Sequence, residues 1–334
     1  MRISVMGSGS WGTAFAMVLA DADNEVVMWS RDARLAHAIT HRHENPDYHP
    51  GIPLPLALSA TADATVALEG AEVVVLAVPA QSLRDNLGAW APALPADAVL
   101  VSLMKGIEQG TTLRMSEVAA QVAGVPEERV AVISGPNLAR EIAERQPAAT
   151  TVACPDEALA ERLADACTTA YFRPYWTTDV VGTEIGGAVK NVIALANGMA
   201  VGMGYGENAQ SALITRGLAE MTRLGIALGA SPLTFLGLAG IGDLVATCQS
   251  PLSRNRTFGE HLGRGLSIAE ATEVTTQTCE GVKSCRSILD LAVAAGVDLP
   301  ITEQVVQVVH HGLDPRHMLR TFMNRATKAE AEAG

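Results

Sequence analysis

The sequence predicts an α/β fold, with a doubly wound parallel sheet in the N-terminal half and an all-helical C-terminal half. In the first half, short apolar runs rich in β-branched residues alternate with stretches of helical periodicity, as in strands separated by covering helices. A glycine-rich turn joins the first strand run to the first helical stretch. After about residue 183, Ala, Gly, Leu and Met dominate and the periodicity is helical. These changes divide the chain into domains 1–182 and 183–334.

The predicted elements follow from these runs in chain order. Consecutive apolar residues predict strands covered on both faces at 3–6, 25–29, 73–78, 99–103 and 130–133. Helical stretches lie between them at 13–22 and 111–123, and two further extended segments, 149–153 and 171–177, flank a helix at 157–170. The second half shows helical periodicity at 185–197, 210–228, 268–271 and 284–295. Residues 326–334 form a charged tail that we expect to fray.

The net charge of −12 over 334 residues limits the functions that the chain can have. A surface dominated by carboxylates repels phosphate backbones, so nucleic acid is not an expected partner. Any phosphate site must therefore be local and built from a few cations. The five cysteines show no CxxC spacing, and we expect reduced thiols rather than disulfides.

The apolar stretches do not predict a membrane segment. Glycines and serines interrupt the apolar N-terminal stretch at 7–12, which argues against a signal peptide. Lys190, Asn191 and Asn197 interrupt the stretch 185–203, which is therefore not expected to cross a bilayer unaided. We expect a cytoplasmic protein without stable membrane insertion.

The turn formed by Gly7, Gly9 and Gly12 predicts a Rossmann-like dinucleotide site. It follows a strand pattern and precedes a helix pattern, so the helix N-terminus would present free N–H groups to a pyrophosphate. The first glycine permits the tight turn, the second lets a phosphate approach the backbone, and the third allows close packing of helix and sheet. The alternative is a strand-to-helix turn with a structural role only.

The end of the second predicted strand favours NADPH over NADH. An NAD site usually has an acid there to accept from the ribose 2′-hydroxyl, whereas this chain has Ser30 and Arg31, followed by Asp32. An arginine can hold a 2′-phosphate through its fork of donors. The alternative for Arg31 is a solvated cation beside Asp32.

Two lysines have the positions expected of functional groups. Lys105 follows a predicted sheet strand, where ligands collect in such folds. Lys190 shares a helix face with Asn197, and that face is otherwise apolar and small. Burial of the ammonium would lower its pKa towards neutrality, as a general acid or base requires. The alternative for Lys190 is a surface lysine whose stem covers apolar residues.

A glycine-rich break containing Asp243 is followed by a cluster of polar side chains. Ser253, Arg254 and Asn255 combine a charged fork with two hydrogen-bonding groups at a predicted helix start. We interpret the cluster as a local phosphate site in an acidic chain. The alternative is an ordinary capped loop with exposed arginines.

The histidine-rich stretch does not predict a metal site. His37 and His41 are four residues apart and His43 follows, but the stretch has no neighbouring cysteine and no HExxH pattern. We interpret it as a solvated helix end.

Together, these motifs strongly resemble bacterial NAD(P)-dependent glycerol-3-phosphate dehydrogenases over nearly the whole chain. The resemblance rests on GSGSWGTAFA (7–16), WSRD (29–32), NPDYHPGIPLP (45–55), AVPAQSLR (77–84), KGIE (105–108), SGPNLAREIA (134–143), AVKNVIALANGMAVG (188–202), GLAGIGDLVATC (237–248), SRNRTFG (253–259) and EGVKS (280–284).

The resemblance implies a role for each matching residue. It implies that Lys190 is the proton donor and acceptor and that Lys105 bridges the cofactor and substrate regions. The implied dinucleotide contacts are Gly7, Gly9, Ser10, Trp11, Gly12, Arg31, Lys105, Ala139, Arg254 and Glu280. The implied substrate contacts are Lys105, Gly135, Asn137, Lys190, Asn191, Asp243, Thr247, Ser253, Arg254 and Asn255.

The activity that the resemblance implies is reduction of dihydroxyacetone phosphate to sn-glycerol 3-phosphate by NADPH or NADH, which supplies the backbone of glycerophospholipids. The resemblance is also compatible with a homodimer. Many relatives have serine or another small hydroxyl residue in place of Asn137, and relatives often have apolar β-branched residues in place of Thr278 and Cys279. The implied roles of these three positions depart from the family pattern.

Two other interpretations stay open at this point. A related dehydrogenase of a 3-hydroxyacid or sugar acid also combines a Rossmann domain with a helical domain, but its substrate needs a carboxylate grip rather than a phosphate site. A non-catalytic NADPH sensor would account for residues 7–12, but it gives no reason for Lys190 on an apolar helix.

Overall fold

The computed structural model describes residues 1–275 and 279–318, and it confirms the predicted fold class. One eight-stranded sheet has the order β3-β2-β1-β4-β5-β6-β7-β8. Its pairs are parallel, except that β7 runs antiparallel to β6. The strands are β1 Arg2–Met6, β2 Glu25–Trp29, β3 Leu58–Thr61, β4 Val73–Leu76, β5 Val99–Ser102, β6 Val130–Ser134, β7 Ala148–Ala153 and β8 Phe172–Thr177.

The helices before β8 cover the sheet, and those after β8 form a separate core. The helices are α1 Ser10–Asp21, α2 Ala33–His37, α3 Ala64–Leu68, α4 Leu83–Trp90, α5 Met115–Ala123, α6 Ala139–Ala143, α7 Glu157–Ala166, α8 Val180–Gly202, α9 Glu207–Ala227, α10 Asp243–Gln249, α11 Arg254–Gly263, α12 Ile268–Val274, α13 Glu280–Ala294 and α14 Pro300–His311. The predicted tail 326–334 lies outside the described residues.

The centre of the sheet is buried on both faces, which explains the continuous apolar strands there. In β1, Ile3 and Val5 pack with α1 in one hydrophobic core, whereas Met6 packs with Leu76 in a second core on the other face. Both cores exclude water from the strands, so every position of β4 and β5 is buried. This arrangement is the doubly wound sheet that the sequence predicted.

Among the elements that were not predicted, β3 and α14 have a clear physical reason. Strand β3 has the sequence LSAT, and only Leu58 of it is buried, so it carries no apolar run. Helix α14 is rich in valine, which favours strands in isolation. Its N-terminus is held by Glu220 of α9, whose carboxylate accepts from the backbone N–H groups of Ile301 at 2.6 Å and Thr302 at 3.3 Å.

The chain divides into two compact units. The first, here called the sheet unit, contains residues 1–104 and 113–180, and the second, the helical unit, contains residues 105–112 and those from 181 onward. The sequence-based division at residue 182 stays a prediction. Helix α8 is long and apolar enough to be a membrane span by length and composition, yet 89% of that window is buried within the protein.

Helices α8 and α11 cross at backbone contact distance because glycines line both sides of the crossing. The glycines are Gly198 and Gly202 on α8, and Gly259 and Gly263 on α11. A Cβ built on Gly198 would lie 2.0 Å from the carbonyl oxygen of Arg256, and one built on Gly259 would lie 2.1 Å from a carbonyl oxygen of α8. Any side chain at these positions would therefore force the two backbones apart.

The substitution Gly259→Ala tests this crossing. The added methyl group would overlap a backbone carbonyl that cannot move aside, so we expect the free energy of unfolding to fall by about 2 kcal/mol or more in urea titrations. The matched control is Gly88→Ala in α4, where an added Cβ meets nothing within 4 Å. There the better helix propensity of alanine should raise stability by up to about 1 kcal/mol. Equal effects of the two variants would contradict the interpretation.

Candidate functional site

Lys190 is a buried lysine near the middle of α8, with 7% of the residue exposed. Its Nζ donates to Asp243 Oδ1 at 2.7 Å and to Thr247 Oγ1 at 2.6 Å. Both acceptors lie on α10, one turn apart, and the Thr247 hydroxyl also contacts Asp243 Oδ1 at 3.2 Å. The ammonium group is therefore held inside the helical unit by specific partners.

A second lysine shares the same carboxylate. Lys105 Nζ donates to Asp243 Oδ2 at 2.5 Å. The segment that carries Lys105 is fixed in the helical unit by two side chains. Asn191 donates through Nδ2 to the carbonyl oxygen of Lys105 at 3.3 Å, and the Ser287 hydroxyl donates to that of Ile107 at 2.8 Å. Each oxygen of one buried carboxylate thus faces one ammonium group.

The glycine-rich segment before α10 brings Asp243 against α8. A Cβ on Gly186 of α8 would lie 2.3 Å from the carbonyl oxygen of Ala239, and one on Gly240 would lie 2.2 Å from that of Phe235. Glycine at 186 lets this segment lie directly on the helix, and glycine at 240 lets the segment fold tightly against Phe235. Asp243 then opens α10 with only 1% of the residue exposed.

Burial and charge shift the pKa of both partners. Burial lowers the pKa of Lys190 to about 8, an effect that Asp243 opposes and that the positive charge of Lys105 reinforces. Burial acts to raise the pKa of Asp243, but the two ammonium groups outweigh it and keep the carboxyl below its usual value. Near neutral pH the group of three therefore carries two positive charges and one negative charge, and Lys190 can release a proton at mildly alkaline pH.

Two buried amides connect α8 to α11 and α13. Asn255 donates through Nδ2 to Asn191 Oδ1 at 2.8 Å, and its Oδ1 accepts from the backbone N–H of Gly281 at 2.9 Å and from the thiol of Cys279 at 2.9 Å. A Cβ on Gly281 would lie 2.7 Å from the carbonyl oxygen of Asn191, so a side chain does not fit there. The sequence did not reveal that Cys279 and Gly281 orient Asn255.

The predicted phosphate cluster lies at the start of α11. Ser253 caps the helix, because its hydroxyl oxygen accepts from the backbone N–H of Arg256 at 3.3 Å. Arg254 is exposed at the first helical position, whereas Ser253 and Asn255 are buried. The helix start was predicted; that the amide of Asn255 faces Asn191 was not.

In the sheet unit, the glycine turn fits a dinucleotide pyrophosphate. Gly7 has φ of +142°, and a Cβ there would lie 2.3 Å from the carbonyl oxygen of Ala77. A Cβ on Gly12 would lie 2.4 Å from the carbonyl oxygen of Gly7, whereas one on Gly9 meets nothing within 4 Å. Helix α1 begins at Ser10 without a side-chain cap, so its first N–H groups have no intrahelical partner.

The surroundings of Arg31 support the preference for NADPH. Asp32 is committed to α2, because its carboxylate accepts from the backbone N–H of Arg34 at 2.8 Å and pairs with the Arg34 side chain at 3.0 Å. The carboxylate closest to the end of β2 is thus used to cap α2, and Arg31 is exposed beside it. Trp11, in the first turn of α1, packs on Phe15 with ring centroids 5.5 Å apart.

Three further predicted residues follow β6 in the sheet unit. Gly135 has φ of +155°, and a Cβ there would lie 3.0 Å from the Cα of Thr150. Asn137 donates through Nδ2 to Thr150 Oγ1 at 2.9 Å, and its buried Oδ1 accepts no hydrogen bond. One N–H of the Asn137 amide, an implied substrate contact, is therefore used within the protein. Ala139 opens α6.

The other predicted residues divide between the two units. Glu280 opens α13 in the helical unit next to Cys279, and Thr278 lies outside the described residues.

All five cysteines are buried free thiols. Within residues 1–275 and 279–318, no group of three His, Cys, Asp or Glu side chains could hold a metal ion.

Comparison with known proteins identifies the family. Residues 2–160 match the family described as NAD-dependent glycerol-3-phosphate dehydrogenase N-terminus, and residues 179–320 match its C-terminus counterpart. The chain is 62% identical over 330 residues to the glycerol-3-phosphate dehydrogenase (NAD(P)+) of Streptomyces griseus, covering 99% of this chain and 98% of that relative. The chain belongs to the NAD-dependent glycerol-3-phosphate dehydrogenase family. The enzyme of the same name from Corynebacterium glutamicum strain R is 59% identical, with 99% of this chain and all of that relative covered.

Comparison of the fold with solved structures leads to the same family. The crystal structure of glycerol-3-phosphate dehydrogenase from Coxiella burnetii matches with a TM-score of 0.92 and 36% identity, over 97% of this chain and 99% of that one. A ketopantoate reductase from Ralstonia eutropha matches with a TM-score of 0.59 at 17% identity and shares the fold alone. The predicted family and enzyme class, an NAD(P)-dependent oxidoreductase, are confirmed. The hydroxyacid dehydrogenase and the sensor are not favoured.

The substitution Asp243→Asn tests the shared carboxylate. It removes the carboxylate that both ammonium groups share and leaves Lys190 buried without its counter-charge, so we expect the free energy of unfolding to fall by about 3 kcal/mol or more at pH 7. The loss should shrink as pH rises through the pKa of Lys190, because the neutral amine needs no counter-charge.

The control for this prediction is Asp290→Asn, which breaks an exposed pair with Arg286 on α13. We expect a change below about 1 kcal/mol there, because exposed pairs contribute little. Urea titrations of both variants at pH 7 and pH 9 would measure the difference. A pH-independent loss in Asp243→Asn would contradict the argument.

Proposed function

We propose that the chain reduces dihydroxyacetone phosphate to sn-glycerol 3-phosphate with NADPH or NADH, reversibly, and that Lys190 is the proton donor and acceptor. The observation that carries the proposal is the buried Lys190 ammonium, held by Asp243 and Thr247 and lowered in pKa to about 8. A group with such a pKa can both give and take a proton near neutral pH.

The proton moves at one atom, Lys190 Nζ. As the C2 oxygen of the ketone gains charge, Nζ donates a hydrogen bond and then the proton to it, and in the reverse direction Nζ removes the proton from the hydroxyl. The nicotinamide cofactor, when bound, supplies or accepts the hydride. Thr247 and Asp243, both on α10, accept hydrogen bonds from Nζ and so fix the direction in which the ammonium group points.

Lys105 keeps the carboxylate paired while Lys190 is neutral. Once Lys190 has lost its proton, Asp243 would be a buried anion without a partner if it had only that lysine, and such a charge is costly. Because Lys105 binds the other carboxylate oxygen at 2.5 Å, Asp243 keeps a counter-charge throughout. This arrangement favours repeated proton release and uptake at Nζ.

The local charge around Lys190 suits a phosphorylated substrate. The group of two lysines and one aspartate has an excess positive charge in a chain of net charge −12. At the start of α11, Arg254 adds a guanidinium beside backbone N–H groups of the first turn. We propose that Ser253, Arg254 and Asn255 hold the phosphate, and the family resemblance adds Gly135 and Asn137 to the proposed substrate contacts.

The proposed cofactor contacts are those that the family resemblance implies. Gly7, Gly9, Ser10, Trp11 and Gly12 would bind the pyrophosphate, and Arg31 would bind the 2′-phosphate of NADPH. The remaining proposed contacts are Lys105, Ala139, Arg254 and Glu280. We also propose a cytoplasmic enzyme, compatible with a homodimer, whose product enters glycerophospholipid synthesis; the match to glycerol-3-phosphate dehydrogenases supports these assignments.

The substitution Lys190→Arg tests the proton transfer. Arginine keeps the positive charge beside Asp243 but does not release a proton in this pH range, so kcat for dihydroxyacetone phosphate should fall roughly 1,000-fold. The Kd of NADPH, measured by fluorescence titration, should stay within about twofold, since that site is built on the glycine turn. The control is Lys283→Arg, at an exposed lysine of α13, with wild-type kcat. Turnover of Lys190→Arg at the wild-type rate would refute the assignment.

The pH dependence of kcat/KM should be opposite for reduction of the ketone and for oxidation of the alcohol. Reduction requires protonated Lys190, so kcat/KM for dihydroxyacetone phosphate should be level at lower pH and fall as pH rises through about 8. Oxidation of sn-glycerol 3-phosphate requires the neutral amine, so its kcat/KM should rise up to about pH 8 and then level off. Steady-state assays in both directions between pH 6 and 10 would measure this. If kcat/KM changed with pH in the same sense for reduction and oxidation, Lys190 could not be both the proton donor and the proton acceptor.

A further inference from the structure

The segment NPDYHP, residues 45–50, has no role in the function proposed above, yet it holds the glycine turn. Asn45 is fully buried. Its Nδ2 donates to the carbonyl oxygen of Ser8 at 3.0 Å and to Thr13 Oγ1 at 2.8 Å, and its Oδ1 accepts from the backbone N–H of Tyr48 at 3.3 Å. The Thr13 hydroxyl also donates to the Ser8 carbonyl at 3.2 Å. Two donors therefore fix one carbonyl of the turn on its buried side.

The direction of that carbonyl decides the direction of the next N–H group. In a planar trans peptide, the C=O of Ser8 and the N–H of Gly9 point in opposite directions. With the carbonyl fixed towards Asn45, the Gly9 N–H points away from the buried side. A Cβ on Gly9 would meet nothing within 4 Å, so there is room at this residue for a ligand to approach.

Without such an anchor, this peptide could rotate at low cost. Gly9 has no Cβ, and glycine adopts backbone conformations on both sides of φ = 0 with similar ease. A rotated peptide would present the Ser8 carbonyl, rather than an N–H group, to an incoming anion. The glycine that admits the phosphate therefore also creates the need for a residue that fixes the turn.

His49 makes a similar contact two residues further along the turn, at the carbonyl of Ser10. Its ring is fully buried, and its Nε2 lies 2.8 Å from the carbonyl oxygen of Ser10. Burial lowers the pKa of His49; the hydrogen bond to Ser10 and the charge of Glu144 oppose this effect, and Arg140 reinforces it. The ring is therefore neutral near pH 7 and donates through Nε2. Its Nδ1 is buried without a hydrogen-bond partner, which has a cost in stability.

We propose that Asn45, with His49 beside it, is a positioning residue for dinucleotide binding. It does not touch the cofactor; it holds the Ser8 peptide so that the Gly9 N–H is directed to the pyrophosphate. The proposal rests on the proposed function, because it assumes that the glycine turn binds NADPH.

The test compares the NADPH affinity of Asn45→Ala with that of a matched asparagine variant. Losing one preorganised N–H contact should raise the Kd of NADPH roughly tenfold, as measured by isothermal titration calorimetry. In Thr13→Val, which keeps the shape and removes the second donor to Ser8, we expect about a threefold rise. The control is Asn24→Ala, since Asn24 is buried at the far end of α1 and donates to the carbonyl oxygens of Leu19 and Ala166.

The control separates a positioning role from a purely structural one. Asn24→Ala should lower Tm about as much as Asn45→Ala does but leave the Kd of NADPH unchanged. In both asparagine variants, kcat at saturating NADPH should stay near the wild-type value, because Lys190 is untouched. An unchanged Kd in Asn45→Ala and in Thr13→Val would overturn the proposal, and Thr13→Val decides the matter if Asn45→Ala does not fold. Failure of the wild-type chain to bind NADPH would instead overturn the proposed function.

Discussion

The helical unit depends on one buried carboxylate placed between two lysines. Transferring Lys190 from water to the protein interior is unfavourable, and Asp243 compensates only because Lys105, Thr247 and the fold of α10 satisfy both of its oxygens. The same burial brings the pKa of Lys190 to about 8. Burial of Lys190 therefore requires Asp243 to lie close to α8, and the same burial gives Lys190 the pKa that proton transfer needs. The glycine-rich segment before Asp243 allows this close approach.

Much of the fold was readable from the sequence because the relevant signals are local. The continuous apolar runs of β4 and β5 indicated a sheet covered on both faces, and the spacing of Gly7, Gly9 and Gly12 indicated a strand, a turn and a helix. Helix α1 nevertheless begins at Ser10 rather than Thr13, because the glycine turn itself supplies the first helical turn.

The candidate site was only partly readable because its contacts are distant in sequence. Lys190 stood out as a cation on an apolar helix, but Asp243 lies 53 positions from it and 138 from Lys105. Nothing in the spacing of the chain shows that one carboxylate serves both lysines. The pairing of Asn191 with Asn255 and the anchoring of Ser8 by Asn45 depend in the same way on tertiary packing.

The glycine-lined crossing of α8 and α11 has a consequence for how the enzyme can evolve. In most helix pairs a layer of interlocking side chains separates the backbones, and exchanging a leucine for a valine shifts one helix relative to the other by a fraction of an ångström. Here main chain rests on main chain at Gly198 and Gly259, so no such adjustable layer exists. Sequence variation among descendants must therefore fall elsewhere in the chain, while the spacing between these two helices is inherited unaltered.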